Sequence, residues 1–195
     1  MRLFIGIPLA ATTANDLTAA VKPLQSNRRS TNAPDTLRWS KPENWHITLQ
    51  FLGSTTSQQY ECVVARLREP QQTSVSIGLG TFGIFDRAGV FFVDVRVTPQ
   101  LLALQKAVTV ATAPCGFVPE DRPYHPHITL ARRKGKGGGG ELHTLKLQSD
   151  RQPDVSGFIA SSFYLYESIP TPEGSRYEFR ERFPLVERGR KVRGE

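Results

Sequence analysis

No stretch of this 195-residue chain is apolar for long enough to span a bilayer as a helix, which takes about 20 residues. The opening Met1-Arg2-Leu3-Phe4-Ile5-Gly6-Ile7-Pro8 is too short for a secretory signal and lacks a small-residue cleavage site. Cysteine is scarce. Cys62 and Cys115 are the only two, so a disulfide framework is not expected and a reducing cytoplasm is the expected compartment. Acid is in deficit: 18 Asp+Glu stand against 25 Lys+Arg, a net charge of +7 at pH 7. That balance favours an anionic partner such as nucleic acid over a merely basic surface. No Pro- or Ser-rich linker divides the chain into independent domains. The glycine run in 135–140 is no phosphate cradle of the P-loop kind. It lacks the following Lys-Ser/Thr and the strand–helix frame, and reads as a basic, flexible loop.

What the chain does have is a repeated tetrapeptide. His46-Ile47-Thr48-Leu49 returns as His127-Ile128-Thr129-Leu130. Ile and Leu around Thr favour an extended strand, and strand side chains alternate faces. His46 and Thr48 therefore share one face, His127 and Thr129 another, while the aliphatic residues point into apolar packing. If the two strands approach each other, two imidazoles and two hydroxyls converge on one cleft. Such a site can move two protons and hold a phosphate by its non-bridging oxygens.

The rest of the chain frames this pair. Leu3 to Ile7 reads as a strand buried on both faces. A helix follows, with Thr13-Ala14-Asn15-Asp16 as a variant capping box, Leu17, Val21 and Leu24 as its stripe, and Pro23 expected to kink or end it. Asn27 to Asp35 is a polar loop, and Leu37 to Trp39 a short strand. The first motif strand, His46 to Leu52, is expected to break at Gly53-Ser54. Ser57 to Leu67 is a helix. Val75 to Phe85 and Val90 to Val97 form a hairpin across Asp86-Arg87-Ala88-Gly89. Thr98-Pro99 opens another helix, a capping Thr followed by Pro at the first helical position. After the second motif strand come a short helix from Glu141 to Gln148 and a final hairpin, Phe158 to Tyr166 with Arg176 to Leu185. Antiparallel hairpins mixed with helices predict an α+β fold of two pseudo-symmetric lobes around a central cleft. The domain is expected to span residues 1–186, with a charged tail over 187–195.

Trp45-His46-Ile47-Thr48-Leu49-Gln50-Phe51-Leu52-Gly53 and His125-Pro126-His127-Ile128-Thr129-Leu130-Ala131-Arg132 resemble the paired HxTx signatures of the 2H phosphoesterase superfamily. The resemblance is to its RNA 2′,3′-cyclic phosphodiesterase branch, also called 2′-5′ RNA ligases. Met1-Arg2-Leu3-Phe4-Ile5, Arg38-Trp39 and Tyr177-Glu178-Phe179-Arg180-Glu181-Arg182-Phe183-Pro184-Leu185 carry it across almost the whole chain. The resemblance implies two lobes of antiparallel sheet with outer helices. It implies hydrolysis of RNA 2′,3′-cyclic phosphate ends, and of small 2′,3′-cyclic nucleotides, to a 2′-phosphate. His46 would be the proton donor, His127 the proton acceptor, and Thr48 and Thr129 the phosphate-binding hydroxyls. Ligation through a 2′-5′ bond is the same chemistry reversed. The alternative is a module that binds RNA ends without catalysis, against which all four intact motif residues speak.

Histidine suits both proton-transfer roles because its ordinary pKa, about 6.5, lies near working pH. A metal reading is weaker. His125-Pro126-His127 could join His46 as ligands, yet Pro126 and the lack of nearby acidic clusters disfavour it, so no metal or other cofactor is expected. A monomer is expected. Phe51 and Arg132 lie five residues after their motif histidines and match under the repeat. Together they would sandwich a nucleobase. Ideal alternation places both on the wrong face, so this reading requires a bulge or a strand end before each.

Overall fold

The computed structural model describes residues 1–29, 36–69, 71–135, 139–149, 152–172 and 174–187. Its elements are β1 (Arg2–Pro8), α1 (Ala11–Arg29), β2 (Leu37–Trp39), β3 (His46–Ser54), α2 (Ser57–Arg68), β4 (Val75–Ile77), β5 (Leu79–Phe85) and β6 (Val90–Val95). There follow α3 (Pro99–Thr112), β7 (His127–Arg133), α4 (Gly139–Gln148), β8 (Phe158–Ala160), β9 (Ser162–Thr171) and β10 (Gly174–Pro184). One four-stranded sheet has the order β10-β9-β1-β3 and the other β2-β7-β6-β5; β4 and β8 form a separate pair. All these ladders are antiparallel. The expected α+β class holds, with one motif strand in each large sheet.

Local chemistry explains most element starts. Thr56 caps α2 reciprocally: its hydroxyl accepts from the Gln59 N–H at 3.2 Å, and the Gln59 side-chain carbonyl oxygen accepts from the Thr56 N–H at 3.1 Å. Thr98 caps α3 through the Leu101 N–H at 3.1 Å, with Pro99 at the first helical position. The helical stripes Leu17, Val21 and Leu24, then Val63 and Leu67, then Leu101, Leu104 and Val108, are buried in one continuous core with both sheets.

Several expectations need correction. α1 begins at Ala11, so Thr13 does not cap it. The Thr13 side chain is buried and donates to the Ser156 carbonyl at 2.9 Å, while the Asp16 carboxylate accepts from the Ser156 N–H at 3.0 Å. The residues expected to form the capping box instead tie the helix to a distant loop. Pro23 does not end α1 either. The buried stripe on both sides of it holds the helix against the core, and tertiary packing outweighs the lost hydrogen bond. β3 continues through Gly53 to Ser54, because Gly53 takes φ +70°, a conformation glycine adopts freely. Val75 to Phe85 is two strands, β4 and β5, in different sheets. The loop over 30–35, the glycines 137–138 and the tail 188–195 lie outside the described residues.

The expectation of unpaired cysteines is also wrong. Cys62 on α2 is bonded to Cys115, which sits in a short 3-10 turn after α3, with Cα atoms 5.7 Å apart. α2 packs on α3, and that tertiary contact brings together residues 53 apart in sequence. The bond removes the ground on which a reducing compartment was expected. Among the described residues no helix is long and apolar enough to cross a membrane.

Candidate active site

The motif strands do not pair in a ladder. β3 is the edge of one sheet and β7 lies inside the other. They meet through a cross-lobe bond: the Tyr124 hydroxyl donates to the Thr48 carbonyl at 2.9 Å. Tyr124 is partly buried, and burial raises its pKa. It is therefore a neutral donor, fastening the start of the second motif to the backbone of the first.

Each histidine is held in the same way. His46 Nδ1 lies 2.8 Å from the Asn44 carbonyl, and His127 Nδ1 lies 2.8 Å from the His125 carbonyl. A carbonyl only accepts, so Nδ1 carries the proton in both rings and Nε2 is left to exchange one. The repeat thus extends from residue type to tautomer.

The repeat extends further, to a pair of β-bulges. Opposite β3, Gly6 faces Thr48 and Ile5 faces Gln50, which leaves Leu49 as an extra residue. Opposite β7, Phe92 faces Thr129 and Phe91 faces Ala131, which leaves Leu130 as an extra residue. Two successive residues are buried in each strand, Leu49-Gln50 and Leu130-Ala131, and the next side chain turns outward. Phe51 is 60% exposed and lines the cleft beside Thr48; Arg132 is exposed at the matching position. The condition set by strand alternation for these two residues is met. Gly6 allows the close strand approach here. A Cβ on it would lie 2.9 Å from the Ile47 carbonyl oxygen and 3.5 Å from His46 Cδ2.

The cleft has a volume of about 680 Å³, and its walls include Thr48, Phe51, Phe85, Tyr124, His125 and His127. Both motif histidines are partly buried, as are Thr48 and Thr129. His46 packs on Phe4 (centroids 4.6 Å) and edge-on to Tyr177 (5.0 Å); His127 packs edge-on to Phe85 (5.0 Å). Burial among these rings pushes the His46 pKa down to about 4. The Asn44 carbonyl opposes that fall, and the charges of His127 and Arg132 add to it. His127 is lowered for the same first reason, with the His125 carbonyl opposing and the charges of His125 and Arg132 adding. The free site therefore holds both imidazoles neutral, beside a guanidinium that acts on both.

Sequence reasoning missed some supporting groups. Asp94 faces His127 across β6 and β7, and its carboxylate lies 2.7 Å from His125 Nε2. His125 lines the cleft through that pair. His143 pairs with Asp86 at 3.0 Å. Asp94 carries no local signal, because its partners come from another strand. Among the described residues no cluster of three or more His, Cys, Asp or Glu side chains is arranged to hold a metal ion.

Two antiparallel sheets each carry a His-x-Thr strand, and Thr48 of one and His127 of the other line a shared cleft, an arrangement that accords with the resemblance to 2H phosphoesterases. The chain belongs to the 2′-5′ RNA ligase superfamily, whose family profile matches residues 16–167. It is 31% identical to the RNA 2′,3′-cyclic phosphodiesterase of Bacillus subtilis (strain 168) over 192 residues, covering 93% of this chain and 95% of that one. It is 34% identical to the protein of the same name from Aeropyrum pernix over 140 residues, covering 70% and 79%. The fold is shared with Escherichia coli LigT in its complex with 3′-AMP, at a TM-score of 0.73 and 24% identity, over 95% of this chain and 98% of that one. A Thermus thermophilus protein is equally close, with a TM-score of 0.73, 24% identity and the same coverage.

Proposed function

We propose that this protein hydrolyses RNA 2′,3′-cyclic phosphate ends to 2′-phosphates by paired histidine acid–base catalysis. The reading rests on one observation above all: two imidazoles, each fixed at Nδ1 by a carbonyl two residues back, lie close enough that the charge of His127 acts on His46. The names of relatives that match nearly the full chain support it. His127 Nε2 takes a proton from water as the water oxygen attacks phosphorus. The bond from phosphorus to the 3′-oxygen breaks, and protonated His46 gives its Nε2 proton to that oxygen. Thr48 and Thr129 donate hydroxyl protons to the non-bridging oxygens, where negative charge builds.

The lowered pKa of His46 fits this scheme once the substrate is counted. In the free site neither ring holds an extra proton, since burial and Arg132 oppose it. A bound phosphodiester brings a negative charge that favours imidazolium, so the acid is charged on substrate binding. Phe51 and Arg132 grip the terminal base by stacking and cation–π contact, without regard to its identity. With a 5′-hydroxyl attacking phosphorus in place of water, the same groups form a 2′-5′ linkage, and the reaction is reversible.

The test is to incubate the protein with an RNA ending in a 2′,3′-cyclic phosphate, with and without EDTA, and to identify the new end. A 2′-phosphate formed at an equal rate in EDTA is expected. A 3′-phosphate would reverse the acid and base sides, and loss of activity restored by Zn²⁺ would replace the mechanism. Tight binding without turnover would leave only an RNA-end-binding module.

A further inference from the structure

The sheet β10-β9-β1-β3 buries Leu3, Ile5, Phe163, Leu165 and Phe183 in the core. By alternation and register its other face carries Phe4, Tyr164, Tyr166, Tyr177 and Phe179. Their rings form a connected row across the strands. Phe4 stacks on Tyr166 at 4.7 Å and 1°, Tyr166 meets Phe179 at 5.0 Å, and Phe179 meets Tyr164 at 4.9 Å. The row starts at the candidate site, since Phe4 also packs on His46. It ends on the edge strand β10, where Phe179 is 62% exposed. A large aromatic left open on a sheet edge does not serve the core.

Charge is sorted between the two faces. Glu167 pairs with Glu178 and Leu3, and Glu181 with Leu165, so the three carboxylates within strands β9 and β10 fall on the face of the core residues. There they neutralise Arg68, Arg176 and Arg180. Arg182 sits opposite Tyr164 on the aromatic face. Its Nε–H donates to the neutral Ser162 hydroxyl at 2.9 Å, and no carboxylate neutralises it among the described residues. The face therefore combines stacking rings with an uncompensated cation and contiguity with the site. Sheet surfaces with such aromatics stack unpaired bases, while cations track the phosphates.

We propose that this face binds single-stranded RNA, holding the nucleotides immediately 5′ of the cyclic end. The inference rests on the reading above, which places a 3′-terminal cyclic phosphate between the histidines. The rest of the strand then continues only in the 5′ direction, over Tyr177, Phe179 and Tyr164, the rings of the row open to solvent, with buried Phe4 and Tyr166 as their support. The preferred substrate is an oligonucleotide rather than a cyclic mononucleotide.

The experiment compares a short RNA of about five nucleotides, a length within one such surface, with a 2′,3′-cyclic mononucleotide. Phe179→Ala and Tyr164→Ala should lower kcat/KM for the RNA by roughly 5- to 100-fold, the loss expected for one base–aromatic stack. Turnover of the mononucleotide should not change. Equal losses on both substrates, or none on the RNA, would overturn the proposal. Binding of a fluorescent RNA ending in a 2′-phosphate, followed by anisotropy, gives a readout independent of catalysis. If the wild-type protein cleaves neither substrate, the catalytic reading fails, and RNA binding weakened by Phe179→Ala would still support the surface. Unweakened RNA binding would refute it. So would a wild-type dimer in sedimentation that Phe179→Ala dissociates, because a second copy would then be the occupant.

Discussion

Stability should fall as pH drops from about 6.5 towards 4, and His46 carries a share that can be worked out. Its folded pKa is about 4, against 6.5 for an ordinary histidine. Between those values the unfolded chain binds a proton that the folded chain refuses, so acid favours unfolding. The neutral-His46 contribution is complete above 6.5 and is lost progressively as pH falls through the window. A folded pKa one pH unit below the unfolded one corresponds to about 1.36 kcal/mol, so the full loss approaches ~3 kcal/mol near pH 4. Carboxylates also titrate there, but a variant separates the contributions. Urea unfolding of wild type and His46→Gln from pH 7 to 4.5 should show their stability gap change by ~2–3 kcal/mol, wild type losing more. A gap independent of pH would show that His46 titrates normally and that its burial costs nothing. NMR offers a second check, because the chain has only 4 histidines. Inorganic phosphate in the cleft should raise the His46 pKa. No movement on saturation would refute the idea that the substrate's charge protonates the acid.

Other consequences are checked more briefly. His46→Ala and His127→Ala should each cut kcat by ~10²–10⁴ with circular dichroism unchanged, and near-normal turnover in either would sink the paired mechanism. Tyr124→Phe removes one cross-lobe hydrogen bond; unfolding should show a loss of ~1 kcal/mol, and a stability equal to wild type would mean the bond adds nothing. Replacing Cys62 and Cys115 with Ser reopens a 53-residue separation. Chain entropy sets the expected loss at about 2–4 kcal/mol, and equal denaturation midpoints for oxidised wild type and the double variant would contradict it. Phe51→Ala and Arg132→Ala should raise KM for substrates that carry a base, by stacking worth ~1–3 kcal/mol, and spare a baseless cyclic phosphate. Equal effects on both would leave packing or phosphate contact as the role.

The parts of this molecule legible in sequence are those fixed by near neighbours. His46 and Thr48 share a face because strands alternate, Thr98-Pro99 starts a helix because its hydroxyl reaches three residues on, and the repeat places one motif in each lobe. What escaped depends on distant partners. Asp94 needs His125, Thr13 needs Ser156, and Cys62 needs Cys115, and no local pattern announces any of these. The bulges are an intermediate case. Alternation alone sends Phe51 and Arg132 away from the cleft, and only the second run departs from it visibly. Leu130-Ala131-Arg132 puts a charge at an apolar position of the motif, whereas His46 to Phe51 alternates without a break and hides its bulge. Burying Leu49 and Leu130 on the core face and then Phe51 on the same face would hide a ring and, in the repeat, a guanidinium. An extra residue in each strand avoids the buried charge of Arg132 and turns both side chains outward together. The cost of burying Arg132 is thus the physical reason the second bulge exists. The matching bulge before Phe51 then gives the aromatic the same outlook on the cleft, although burial alone would have drawn it inward.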